Sequence, residues 1–458
     1  MSACFAPPPP HIEWVLIPGG IVPPSPERRL ALGPGHGFLP PQPYSPTLPS
    51  FHYLPTPFPP KPAVYPSFSP PLLQHGSQPS APSKKKKQPQ LRLLNGPKLV
   101  RSSVGPIPKL LHDFRTTQDR KWKLKDIVGH VAEFSRDQYG SRFLQDAIDS
   151  PGASDDDLDM VRREIISAGL LDLSKDMFGN YVVQRIAERS DAQYYAGYVD
   201  LLIDHVRDLS LHVYGCRVIQ KLLDLVPPSH QARLVQRLEP HVAECVKNAH
   251  GNHVIQKILE VVPLQLLDFV SGFVGHALEI AKHPYGCRVL QRCLEYLPLE
   301  QAQPLLDEFM EQVPEMINDQ YGNYVVQYLL EHGGDRERGY LQIWIRGQLV
   351  ELGKHKHASN VCEVAIAHGS ESERGALIAE LMLPGAVWAL IHDQYGNYVV
   401  QRSLNCATGF QRQLLFGLVD QELCRAFANT PNPAECKHLI AIDHILKVNR
   451  RSYRSSPM

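Results

Sequence analysis

From Trp122 onward the apolar residues fall into one recurring phrase: an aromatic or histidine, a glycine, a small polar residue, a ring or arginine, two apolar residues and a glutamine. It reads QYGSRFLQ, MFGNYVVQ, VYGCRVIQ, AHGNHVIQ, PYGCRVLQ, QYGNYVVQ, HASNVCE and QYGNYVVQ. The small polar residue stands at 141, 180, 216, 252, 287, 323, 359 and 397, so successive copies lie 35 to 39 residues apart. Such a period is the mark of stacked repeats, none of which can bury its apolar face alone. After the small polar residue, Val254, Ile255, Ile258 and Leu259 illustrate an i, i+1, i+4, i+5 pattern that makes one stripe on a helix. The stretches between, VPPSHQARLVQRL and VPLQLLDFVSGFV among them, read as a turn followed by a second amphipathic helix. Strand-type alternation is hard to find. The pattern predicts an all-α stack of eight units.

Numbering the small polar residue as position 1 and advancing about 100° per residue, positions 1, 2 and 5 share one face while the apolar positions 3 and 4 point the other way. Each unit therefore aims a small polar residue, a flat side chain and an amide or acid in the same direction. Ser or Asn after glycine also suits a helix N-cap. Cys216 and Cys287 make poor caps, however, and capping explains neither the Gln at position 5 in seven units nor the restriction of position 2 to Arg, Tyr, His or Asn.

Stacked planar groups at position 2 suit the sandwiching of flat bases. Position 5 then meets the base edge. Gln offers a donor and an acceptor, matching uracil or adenine, whereas Glu offers acceptors alone, matching the adjacent N1–H and N2–H of guanine. Position 1 sorts by size, Asn reaching toward a pyrimidine and Cys or Ser leaving room for a purine. The ladder reads as a code for unstacked RNA bases.

At these residues the chain resembles the PUF family, specifically its Pumilio homology domain, over about residues 108–450. The resemblance implies a right-handed, crescent-shaped α-solenoid of eight three-helix repeats with end caps, binding single-stranded mRNA on its concave face. RNA runs antiparallel to protein in the family, so the last repeat takes the 5′ base. The family's code implies uracil at Asn397, Tyr398 and Gln401, guanine at Ser359, Asn360 and Glu363, and uracil at Asn323, Tyr324 and Gln327. It implies adenine at Cys287, Arg288 and Gln291, and a permissive uracil-type site at Asn252, His253 and Gln256. Cys216, Arg217 and Gln220 correspond to adenine, Asn180, Tyr181 and Gln184 to uracil, and Ser141, Arg142 and Gln145 to adenine. The implied element is 5′-UGUANAUA-3′ in 3′ untranslated regions. The resemblance also implies a cytoplasmic monomer that lowers translation or mRNA lifetime with deadenylase or translational-repression proteins, and no cofactor. The seventh unit departs from the pattern, with Ala358 in place of glycine. The first interval is longer around Asp155–Asp157, which reads as an extended loop, and KHLIAIDHIL reads as a closing pseudo-repeat.

Composition divides the chain. Residues 1–100 hold 26 of the 41 prolines, nine bases and two acids, and predict a disordered Pro-rich arm over 1–105. The repeat domain is expected over 106–450, with a short tail at 451–458. Lys84–Lys87 reads first as a solvated linker run, with a nuclear signal or a phosphate contact as alternatives. Lys plus Arg and Asp plus Glu both number 47, so the remainder of the chain is net acidic. Position 6 nonetheless carries Arg185, Lys221, Lys257, Arg292 and Arg402, which suggests a basic inner and an acidic outer face. No apolar run suits a membrane span, and the first residues lack the n- and h-regions of a secretory signal. The nine cysteines form no C-x-x-C pair, which fits a reducing compartment, and the His355-x-His357 pair lacks partners at zinc spacing. No phosphate loop or nucleophile elbow suggests an enzyme. A protein-binding helical scaffold is the main rival, and it gives no reason to keep a single Glu among seven Gln; a PUF relative in ribosomal RNA processing is the second, though such relatives usually carry a more degenerate triplet set.

Overall fold

The computed structural model describes residues 108–117, 120–429 and 436–454. The chain divides at Lys98 into two units, and every described residue belongs to the second. The Pro-rich segment and Lys84–Lys87 lie outside the described residues.

Among the described residues every element is helical. The third unit shows the plan: Val206–Leu211 leads, Gly215–Leu225 carries the triplet, and Pro228–Leu238 closes, with Pro228 at a first-turn position that needs no amide hydrogen. The eight triplet-bearing helices are Gln138–Asp149, Gly179–Glu188, Gly215–Leu225, Gly251–Val261, Gly286–Tyr296, Gly322–His332, Ala358–His368 and Gly396–Cys406. Each packs on the next, forming one continuous row. Positions 3 and 4 are buried between neighbours in every unit except at Phe143, which is partly covered by the N-terminal cap. This is the solenoid that the repeat period predicts.

A solenoid exposes apolar surface at each end unless something covers it. At the N-terminal end Lys109–Thr116 sets Phe114 against Trp122, Phe134 and Phe143, with ring centroids 5.5, 5.1 and 5.2 Å away. At the other end Lys437–Arg454, which contains the KHLIAIDHIL segment, packs on the eighth triplet helix and buries Leu439, Ile442 and Leu446.

Three local expectations need correction. VPLQLLDFVSGFV forms no α-helix; Leu264–Leu266 and Asp268–Phe273 are 3₁₀ turns that bury Phe269, Val270 and Phe273. The fourth unit stands one residue closer to its successor than its two predecessors do to theirs, and 3₁₀ winding rises more per residue, so fewer residues cover the span. Asp155–Asp157 is no loop but the first turn of Asp155–Ser167, where Ser154 and Asp157 form a capping box and three carboxylates face the helix dipole. Finally, the closing helix of the fifth unit runs unbroken into the leading helix of the sixth as Leu299–Asn318, despite Pro304 and Pro314.

Candidate nucleic-acid interface

The row of triplet helices presents three tiers. Position 2 is exposed in all eight units: Arg142, Tyr181, Arg217, His253, Arg288, Tyr324, Asn360 and Tyr398. Position 5 is half-buried in all eight: Gln145, Gln184, Gln220, Gln256, Gln291, Gln327, Glu363 and Gln401. Position 1 is the floor, with Ser141, Asn180, Cys216, Asn252, Cys287, Asn323, Ser359 and Asn397 all buried. The helical wheel placed these three positions on one face, and the structure grades that face by depth.

Burial changes the part that position 1 plays. Asn180 Nδ2 donates to the carbonyls of Asp176 and Met177 at 2.8 and 3.0 Å, and Asn252 and Asn397 repeat this pattern. The asparagine oxygen accepts from the Gln Nε2 of its own unit: 3.1 Å from Gln184, 2.8 Å from Gln256, 2.7 Å from Gln327 and 2.9 Å from Gln401. Gln145 anchors on Ser141 O at 3.1 Å and Gln220 on Cys216 O at 3.0 Å, a main-chain contact that Gln184 also makes, with Asn180 O at 3.1 Å. The asparagine oxygen thus gives the glutamine of the Asn-bearing units a side-chain anchor in place of, or beside, the main-chain one.

One neighbouring pair of position-2 groups is already in contact. The Arg217 guanidinium sits 6.0 Å from the Tyr181 ring centroid and donates to Tyr181 Oη at 2.9 Å. Partial burial, and then Arg288, hold the His253 imidazole below its ordinary pKa, keeping a neutral ring among cationic neighbours. Burial raises Glu363, and Arg402 opposes that shift from 3.6 Å.

Two features escaped the sequence reading. The first is the residue four before position 1: Asp137, Asp176, His212, Asn248, His283, Asp319, His355 and Asp393. Each accepts from two successive amides where the triplet helix begins, as Asp319 Oδ1 does from Tyr321 N and Gly322 N at 2.8 Å each. This satisfies orphan donors that position 1 had been considered for.

The second is an acid at position 9, present in the first six units as Asp149, Glu188, Asp224, Glu260, Glu295 and Glu331. It lies at about 80° on the wheel, on the reading side. Arg185 lies 3.4 Å from Asp149 and 2.6 Å from Glu188; Lys221 lies 2.6 Å from Glu188; and Lys257 lies 3.2 Å from Asp224 and 2.9 Å from Glu260. Arg292 pairs with Glu295. The expected division into a basic inner and an acidic outer face is therefore wrong along this strip, where acids and cations alternate. Glu188→Gln removes the acid shared by Arg185 and Lys221. It is expected to steepen the salt dependence of RNA affinity by about one unit of log–log slope, read between about 0.05 and 0.2 M salt. An unchanged slope would mean that these cations stay clear of phosphate.

Among the described residues no group of three or more His, Cys, Asp or Glu side chains converges as a metal ion requires, and no helix is long and apolar enough to cross a membrane. His355 caps its helix, with Nδ1 accepting from His357 N and Ala358 N.

Comparison with known sequences matches the Pumilio-family RNA binding repeat eight times, at residues 130–166, 170–194, 205–239, 241–269, 276–310, 312–341, 348–382 and 387–419. The chain belongs to the PUF family. It is similar to the mRNA-binding protein puf3 of Schizosaccharomyces pombe, 38% identical over 100 residues, which is 22% of this chain and 13% of that protein. Pumilio homolog 1 of Xenopus laevis is 37% identical over 98 residues, 21% of this chain and 8% of that one. The matched stretches thus span a small part of these relatives. The solved Puf3 RNA binding domain bound to a Cox17 RNA 3′ UTR recognition sequence superposes at TM-score 0.66 with 32% identity, covering 74% of this chain and 99% of that one. PUF-8 in complex with PBE-RNA gives TM-score 0.67 and 32% identity over the same shares.

Proposed function

We propose that this PUF protein binds single-stranded mRNA one base per repeat at 5′-UGUANAUA-3′ elements in 3′ untranslated regions, and regulates translation or mRNA lifetime. The observation that carries the reading is the set of eight in-register triplets, with a flat group exposed and an edge-reading group half-buried in every unit. Glu363 alone replaces glutamine, as one guanine among bases that need both a donor and an acceptor requires. Solved relatives bound to RNA support the partner class. Cytoplasmic action as a monomer, with deadenylase or translational-repression proteins, belongs to the same reading. Selection of bound sequences from a random RNA pool tests it directly: enrichment of UGUANAUA is expected, and a pool without a common element would defeat it.

Tyr324 separates stacking from edge reading. Its ring is exposed beside the half-buried Gln327. Tyr324→Ala is expected to weaken binding by about 1–3 kcal/mol without altering which bases are preferred. Normal affinity with relaxed base choice in a competition assay would instead make position 2 an edge reader.

A further inference from the structure

The eight capping residues fall into two chemical kinds that follow the triplets. Asp176, Asn248, Asp319 and Asp393 precede the four Asn-bearing, uracil-type units, whereas His212, His283 and His355 precede the Cys216, Cys287 and Ser359 units. Asp137, before Ser141, is the exception, and it also pairs with Arg115 of the N-terminal cap. We propose that His212, His283 and His355 are pH-responsive positioning residues for the three units they precede, releasing those units' grip on purines under mild acid while the Asp- and Asn-capped units hold. This inference rests on the RNA-reading function proposed above.

The geometry fixes the protonation state. His212 Nδ1 accepts from Tyr214 N and Gly215 N at 3.2 Å each, and His283 Nδ1 from Tyr285 N and Gly286 N at 3.2 and 3.3 Å. His355 Nδ1 accepts from His357 N and Ala358 N at 3.3 Å each. An imidazole nitrogen that accepts carries no proton, so the hydrogen of each ring must sit on Nε2. A second proton turns Nδ1 into a donor aimed at two donors. It also places a positive charge at a helix N-terminus that is already positive. Asn248 does not titrate, and aspartate takes up protons only at much lower pH.

The capped turn reaches the reading groups directly. Its carbonyls accept from position 1: Cys216 Sγ donates to Val213 O and Cys287 Sγ to Pro284 O, both at 3.7 Å, and Ser359 Oγ donates to Lys356 O at 3.5 Å. Position 1 in turn begins the helix turn that carries positions 2 and 5. The groups facing the histidines are Lys175 and His250 for His212, Lys247 and Glu279 for His283, and His357 for His355. Burial first, and then the nearby lysine, hold His212 and His283 below the ordinary histidine value, with Glu279 opposing at His283. A histidine lowered in the folded state favours folding when neutral. Its contribution is therefore complete above the ordinary histidine range and is lost as pH falls through it.

The test titrates 5′-UGUAUAUA-3′ by fluorescence anisotropy at pH about 7.5 and about 5.5, for the native protein and for H212N/H283N/H355N, which installs the residue native at 248. The native protein is expected to lose affinity by more than about tenfold, and the triple variant by less than about threefold. Glu363 is present in both proteins, so equal losses would assign the effect elsewhere and overturn the proposal, as would a flat native profile. Binding at the higher pH tests the RNA-reading function on its own. Amide exchange in the native protein gives an RNA-free readout that needs no variant. Protection at Tyr214, Gly215, Tyr285 and Gly286 is expected to fall at the lower pH relative to Tyr321, Gly322, Tyr395 and Gly396. A uniform response would overturn the proposal.

Discussion

Exchanging Ser359 for Asn together with Glu363 for Gln is expected to change the second base preferred from guanine to uracil. The Glu363 carboxylate offers acceptors only, which fit the adjacent N1–H and N2–H of guanine; uracil would set O4 against a negative charge. The replacement rebuilds the corner seen at Asn323 and Gln327, where the asparagine donates to Asp319 O at 2.8 Å and receives Gln327 Nε2 at 2.7 Å. The same backbone is in place in the seventh unit, since Ser359 follows His355 at the same spacing and packs as deeply. Each mismatched base is expected to cost about 1–3 kcal/mol. Losing the carboxylate also frees Arg402, 3.6 Å from Glu363, which adds a small low-salt gain common to both RNAs without offsetting the mismatch cost. Titrating both proteins against UGUAUAUA and UUUAUAUA gives the answer. Equal native affinity for the two RNAs would defeat the code, and a switch at any base other than the second would defeat the antiparallel register.

The repeat period and the triplets were legible because each is dictated within one unit. The apolar pair at positions 3 and 4 must be buried and the amide at position 5 must stay near the surface, whatever the neighbours do. The acid at position 9 was written in the sequence as plainly, yet its meaning depends on the next unit. Glu188 matters because Lys221 lies 2.6 Å away across the repeat boundary. The capping residue was missed for a different reason: histidine is a rare cap, so Asp, Asn and His in one column did not read as one function. The 3₁₀ turns after Pro263 answer a one-residue shortening that matters only once the flanking helices are fixed in space. The depth of position 1 was also hidden, because a wheel gives direction but not distance from solvent.

Gly286→Val is expected to destabilise the domain by at least about 3 kcal/mol, the largest loss foreseen for any single change on the triplet helices. In the described structure this glycine marks the point where the triplet helix crosses the leading helix of its own unit. A Cβ built there would lie 2.4 Å from Ile280 O and 2.8 Å from Ile280 Cγ2, closer than any non-bonded carbon can sit. The same contact recurs six residues upstream at Gly140, Gly179, Gly215, Gly251, Gly322 and Gly396, at 2.6 to 3.0 Å. This crossing gives the glycine of the repeated phrase a packing reason that needs no RNA contact. Ala358 shows that one methyl can be absorbed, since it is fully buried opposite the helix Leu349–Gly353. Two further methyl carbons on a β-branched side chain leave backbone separation as the remaining way out, and the packed row resists it on both sides. Reversing the exception, Ala358→Gly is expected to cost only about 1 kcal/mol in helix propensity. Urea denaturation of both variants at neutral pH provides the comparison. A G286V midpoint equal to that of the native protein would show that the helices separate freely there, and that the glycine is kept for some other reason.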